Sequence, residues 1–136
     1  MNESPIYKIL KNTPYGLNIF KPERVKNLEE KIVWKDSEPY VVCLIRNKEI
    51  LLKPEEVVRQ LYLLVLIEDY KYPKNLIKLE RSIHFGREKK SADIVIFDKD
   101  RPTVEYIIIE VKKPNEKLGK EQLKSYCNAT GCPIGV

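Results

Sequence analysis

The chain has 136 residues, 43% hydrophobic and 33% charged, which fits one globular domain and excludes a core plus a separate motor or substrate domain. No apolar run approaches the ~20 residues of a membrane span, and the N-terminus MNESPIYKIL lacks the basic-then-apolar order of a signal peptide, so a cytoplasmic protein with no membrane partner is expected. The formal net charge of +5 favours an anionic partner such as nucleic acid without requiring one. Cys43, Cys127 and Cys132 are odd in number and lack zinc-type pairing, which predicts reduced thiols. The single histidine, His84, is more readily a surface or packed residue than a catalyst.

Residues 1 to 21 carry Pro5, Pro14 and Gly16 among polar residues, so an irregular arm is predicted, anchored by Ile6, Ile9, Leu10 and Phe20. PERVKNLEE, from Pro22 to Glu30, opens on proline and spaces Val25 and Leu28 by three, which predicts a short helix. With this helix the arm spans 1–38, and the principal domain spans 39–136. Pro39 to Ile45 and Glu49 to Leu52 flank Arg46-Asn47-Lys48 as a β-hairpin with Asn47 at its turn, an elaboration beside the main fold.

Lys53-Pro54-Glu55-Glu56 starts a helix to about Tyr70, with proline in the first turn and two acids where the helix dipole favours them. Leu61, Leu63, Leu64, Val65, Leu66 and Ile67 make most of its circumference apolar, so it is expected to be heavily buried. Glu56 and Gln60 lie one turn apart on one stripe, as functional groups or as a capping charge and a solvated amide. Tyr72-Pro73 and Asn75 break the helix. A strand follows from Leu76 to His84, then a polar turn from Phe85 to Lys90, then a buried strand over Ala92 to Phe97 with Asp93 near its start. The connection 98–103 leads to a strand within the stretch Tyr106 to Pro114, closing a three-stranded antiparallel meander. A helix is expected from about Glu116 to Ala129, capped by Gly131, with Gln122 and Tyr126 on one face. Cys132 to Val136 then begins a further strand.

The run Ile107-Ile108-Ile109 continues without a turn into Glu110-Val111-Lys112. Strand alternation puts Glu110 and Lys112 on one face, roughly 7 Å apart along the strand. They form either a structural ion pair at a strand end or part of a site. If Phe97 faces Tyr106 across the hairpin, Asp93 falls opposite Glu110, with Cα atoms roughly 4.5–5.5 Å apart. A register slipped by two would separate the acids and leave them on one face. Opposed carboxylates destabilise a sheet, and a hard divalent cation such as Mg²⁺ would relieve that repulsion.

Asp93, sixteen intervening residues, then Glu110-Val111-Lys112 resembles the D-x(n)-E-x-K signature of the PD-(D/E)xK nucleases. The predicted order resembles the αβββαβ core of that superfamily, a restriction-endonuclease-like α/β fold with a mixed sheet. More narrowly, Lys53 to Gln60, Tyr72-Pro73, Asp93 to Phe97, Ile109 to Pro114 and Gln122-x-x-x-Tyr126 resemble the N-terminal nuclease domain of the motor (R) subunit of type I restriction enzymes, the last pair also resembling the Q-x-x-x-Y motif of RecB-like nucleases. The resemblance covers about residues 40 to 136. Ala92 stands where the superfamily name has proline, and the sequence ends at Val136, where the family would complete the strand and continue into a motor. No G-x-x-x-x-G-K-[ST] phosphate loop occurs, so ATP hydrolysis by that route is absent from this sequence.

The resemblance implies Mg²⁺-dependent cleavage of double-stranded DNA, with Mn²⁺ able to substitute. Asp93 and Glu110 would ligate the metal with the Val111 carbonyl, and Lys112 would orient or deprotonate water and stabilise charge on the phosphate. Glu56 would hold a water of the metal or a second metal, and Gln122 and Tyr126 would position DNA or support Lys112. The implied partners are the rest of the motor subunit and the specificity and methyltransferase subunits. Lys112 as a snorkelling lysine, Tyr126 as a core residue and Arg87 to Lys90 as a solvated turn stand beside these roles. The rival reading is a catalytically silent module of the same fold that binds DNA or docks the motor and methyltransferase partners.

Overall fold

The computed structural model describes residues 5–13, 17, 20–85, 87–111, 123–124, 127–128 and 130–136, without the side chains of residues 85 and 88. Helices and sheets are mixed, as an α/β chain requires, and they fall into two units that divide between Lys71 and Tyr72.

In the first unit the helices are α1 (Pro5–Leu10), α2 (Pro22–Glu30) and α3 (Pro54–Leu64). The arm expected to be irregular therefore contains a helical turn and a half, because Ile6 and Leu10 lie four apart and both are buried. Helix α2 has the predicted bounds and buries Val25 and Leu28. Proline opens both α2 and α3, where the missing N–H has no intrahelical partner to lose. Helix α3 buries Val57, Leu61, Leu63 and Leu64 and continues through a π-helical turn over Val65–Asp69. Phe20 meets the Tyr62 ring edge to face, centroids 5.1 Å apart.

The same unit holds a three-stranded antiparallel sheet, β1 (Val33–Lys35), β2 (Glu38–Val42) and β3 (Glu49–Leu51), in that order. The predicted hairpin is present as β2 and β3, with Asn47 at φ 53° in the turn. Strand β1 is an addition to it, joined through Asp36 and Ser37 at φ 50° and 66°. Two consecutive left-handed residues give a turn whose twist matches that of the strands it joins.

The second unit is a four-stranded sheet in the order β4-β5-β6-β7, formed by β4 (Ile77–Phe85), β5 (Glu88–Phe97), β6 (Glu105–Ile109) and β7 (Ile134–Gly135). The first three strands are the predicted meander, and β7 adds parallel to β6 at the predicted place. The polar turn expected over Phe85 to Lys90 is shorter, since Glu88 already pairs with Phe85 and the charged residues 88–90 belong to β5. These residues have no apolar alternation because this end of the hairpin leaves the core, and alternation is a burial signal. The predicted helix over 116–129 lies largely outside the described residues, and Leu123, Lys124, Cys127, Asn128 and Thr130 are helical. Gly131 at φ 73° ends that helix, and the N–H groups of Gly131 and Cys132 both donate to the Cys127 carbonyl, at 2.8 and 3.1 Å.

The β4–β5 ladder is interrupted at one pair. Leu79 faces Ile94 and Arg81 faces Ala92, while Glu80 and Asp93 between them are not ladder partners, and Glu80 has φ 52°. Strict alternation would put Ala92 and Val95 on opposite faces, yet both belong to one core cluster with Ile83, Phe97, Ile108 and Cys132. The hairpin therefore bends at Glu80 and Asp93, and its outer half folds Ile83 and Ala92 over the same core. Arg81, just beyond the bend, lies 5.2 Å from the Phe97 ring centroid and pairs with Glu105 at 3.7 Å.

Candidate functional site

Strands β5 and β6 pair Ile94 with Ile109, Val95 with Ile108 and Ile96 with Ile107, a register that carries Asp93 to the position opposite Glu110. The pairing of Phe97 differs from expectation. It faces Glu105 instead of Tyr106, because a bulge between Ile96 and Phe97 takes up one residue. The bulge lies on the loop side of the isoleucines, so the acids remain opposed.

Regular β5–β6 pairing ends at Ile94 and Ile109, and the two carboxylates bridge the strands beyond it. The Asp93 N–H donates to Glu110 Oε1 at 3.1 Å, and the Val111 N–H donates to Asp93 Oδ2 at 2.7 Å. On the other edge the Glu110 N–H donates to the Val136 carbonyl at 3.0 Å, and the Val136 N–H donates to the Ile108 carbonyl at 2.8 Å. Each acid thus receives a peptide N–H from the opposing strand. Charge compensation that a cation would supply is met in part by backbone dipoles, which permits two carboxylates so close to buried Ala92, Ile94, Ile109 and Val111. Asp93 is 7% exposed, and Glu110 Oε2 is shielded from solvent.

The donor set is hard oxygen from two carboxylates, the chemistry Mg²⁺ or Mn²⁺ prefers with water completing the shell. Among the described residues, no three His, Cys, Asp or Glu side chains gather to hold a metal between them. Lys112, Gln122 and Tyr126 lie outside the described residues.

Glu56, in the other unit, is engaged within its own helix. Arg59 donates to both of its oxygens, Nε to Oε2 and Nη2 to Oε1, each at 2.6 Å, and both side chains are about nine-tenths buried. Gln60 is not a solvated amide. It is 1% exposed, accepts from the Leu44 N–H at 3.4 Å and donates toward Cys43 Sγ at 3.4 Å. The stripe of Glu56 and Gln60 faces protein, as a heavily buried helix requires.

One residue absent from the sequence reading is Glu80, exposed and at the β4 position that the register sets opposite Asp93. Its left-handed backbone is unusual for glutamate within a strand. Counting back across the hairpin from Asp93 would have found the position; nothing in the sequence signals the conformation.

Residues 54–136 match a family described as "Type I restriction enzyme R protein N terminus (HSDR_N)". Comparison with curated proteins gave no match, and neither did comparison with solved structures.

Proposed function

The chain belongs to the family of type I restriction enzyme R protein N termini, and from that premise we propose that it is a Mg²⁺-dependent DNA endonuclease domain of the PD-(D/E)xK kind. The observation that carries the reading is the opposition of Asp93 and Glu110 at the end of the β5–β6 ladder. Asp93 and Glu110 hold the metal, with the Val111 carbonyl as the backbone donor. When bound, the metal polarises the scissile phosphate and acidifies water.

The chain's own groups do the rest. The peptide N–H groups of Asp93 and Val111 fix the two carboxylates before any ligand arrives, so binding requires little reorganisation. Lys112 takes the proton of the attacking water or steadies negative charge on the phosphate oxygens. Gln122 and Tyr126 hold the DNA strand in the orientation attack requires. Glu56 joins only if it exchanges Arg59 for the site, so its part is secondary. The partners are duplex DNA and the remaining subunits of a restriction complex, including its motor, specificity and methyltransferase parts.

Calorimetry with Mn²⁺ and Mg²⁺ tests the site. Wild type binds, and Asp93→Asn and Glu110→Gln do not; binding that survives both substitutions sinks the assignment. One observation supports the second reading, a silent DNA-binding or docking module. The reciprocal N–H contacts give both carboxylates a structural task that needs no cation. Metal binding without any Mn²⁺-supported nicking, alone or within an assembled restriction complex, would favour that module.

A further inference from the structure

We propose that the outer half of the β4–β5 hairpin is a phosphate-binding arm that enters a groove of duplex DNA and leads it toward Asp93. This rests on the nuclease reading, whose metal site lies on the same strand.

The β5–β6 ladder covers only Ile94 to Phe97, whereas β4–β5 pairing continues to Phe85 and Glu88. Arg81–Phe85 and Glu88–Ala92 therefore form a two-stranded ribbon beyond the reach of β6. Its inner face is fixed by buried Ile83 and Ala92. Ser82, His84, Arg87, Lys89, Lys90 and Ser91 are exposed.

Like most of the described lysines, and unlike three of the arginines, these cations are not tied to an acid. Arg24, Arg59 and Arg101 each hold a carboxylate at 3.2 Å or closer, while Arg87, Lys89 and Lys90 have no ion-pair partner among the described residues. His84 lies directly across from Lys89 in the register, which sets an imidazole beside an ammonium on one face of the ribbon. The exposed Ser82 hydroxyl, on the same face as His84 and Lys89, can donate to phosphate oxygens as well. A two-stranded ribbon fits the major groove of B-form DNA, about 12 Å wide, and not the deep, narrow one of A-form RNA. Along β5, Lys89 is four residues from Asp93, roughly 13 Å, so DNA held by the arm passes the acid pair.

Lysines on a strand edge also prevent edge-to-edge association, a task that charge of either sign performs. The test separates the two. Duplex affinity is measured by fluorescence anisotropy from 50 to 200 mM salt for the full chain and for Arg87→Gln/Lys89→Gln/Lys90→Gln, with a calcium buffer to prevent cleavage. Loss of three phosphate contacts lowers the slope of log affinity against log salt by about 2.7, so wild type should lose about 40-fold more affinity than the variant across that range. Lys89→Glu/Lys90→Glu should remain unassociated by sedimentation and bind DNA more weakly still. An unchanged slope in the glutamine variant overturns the arm, as does equal wild-type affinity for duplex RNA. Mn²⁺ calorimetry keeps the readings apart. The arm variants retain wild-type metal binding, and absence of metal binding in every protein with the slope change intact refutes the nuclease site and leaves the arm standing.

Discussion

Asp93 is held to the opposing strand at both ends, its carboxylate accepting the Val111 N–H at 2.7 Å while its own N–H donates to Glu110 at 3.1 Å. The acid is therefore a structural bridge as well as a candidate ligand, and two substitutions distinguish the tasks. Asp93→Ala leaves the Val111 N–H buried without this acceptor and should cost about 1–3 kcal/mol in urea unfolding. Asp93→Asn keeps a carbonyl oxygen for that N–H and should recover most of the stability while losing Mn²⁺ binding. Equal destabilisation by both would refute the bridging task.

For Lys112 the expectation is kinetic. Lys112→Ala should leave Mn²⁺ affinity within a few-fold of wild type and lower DNA nicking by about 10²–10⁴, the usual weight of a positioned proton-transfer or charge-stabilising group. Nicking assays on supercoiled DNA at saturating metal measure this. Undiminished nicking would remove Lys112 from the chemistry.

The Glu56 and Arg59 pair sets a different test. Both side chains are about nine-tenths buried, so Arg59→Met strands a buried carboxylate and should cost about 3–5 kcal/mol, whereas Glu56→Gln/Arg59→Met together should cost much less. Glu56→Gln alone should leave Mn²⁺ stoichiometry unchanged. A drop in stoichiometry would bring Glu56 into the metal site.

Acid should loosen the first unit through Arg24 and Asp69, joined at 2.6 Å. Hydrogen bonding from the Arg24 guanidinium holds the Asp69 carboxyl below its ordinary value, and the same bond raises Arg24. A depressed carboxylate stabilises the fold above its unfolded value near 3.9 and loses that contribution as pH falls through the lower folded value. Wild type should therefore lose more stability than Asp69→Asn on acidification below about pH 4, and the two should converge at the lowest pH. Thermal unfolding across this range decides it, and parallel curves would show the pair to be energetically idle.

The parts of the fold legible in the sequence were those that bury apolar side chains. Helix α3, the isoleucine strands and their antiparallel order followed from Leu61 to Leu66, Ile94 to Phe97 and Ile107 to Ile109. The opposition of Asp93 and Glu110 followed from counting along those strands. Strand β1 was missed because Val33, Trp34 and Lys35 are all exposed and show no alternation. Helix α1 was missed because six residues beginning at a proline give one repeat of the apolar spacing, too little for a period. The burial of Gln60 and the ion pair of Glu56 were illegible for another reason. A polar residue's partner depends on which neighbour packs beside it, and a charge at i+3 does not announce whether water or protein surrounds the pair.

The bulge beside Phe97 makes the acid pair indifferent to small changes in the preceding loop. Tyr106 is the residue left over when Phe97 faces Glu105 and Ile96 faces Ile107. Its removal would turn the bulge into a regular step and leave every pair from Ile96 inward as it stands. Removing one residue between Ile107 and Ile109 has no such reservoir. It would draw Val111 opposite Asp93 and turn Glu110 to the far side of the sheet. Length variation is thus tolerated on one side of Ile107 and forbidden on the other, with Tyr106 as the slack between a changeable loop and a fixed register.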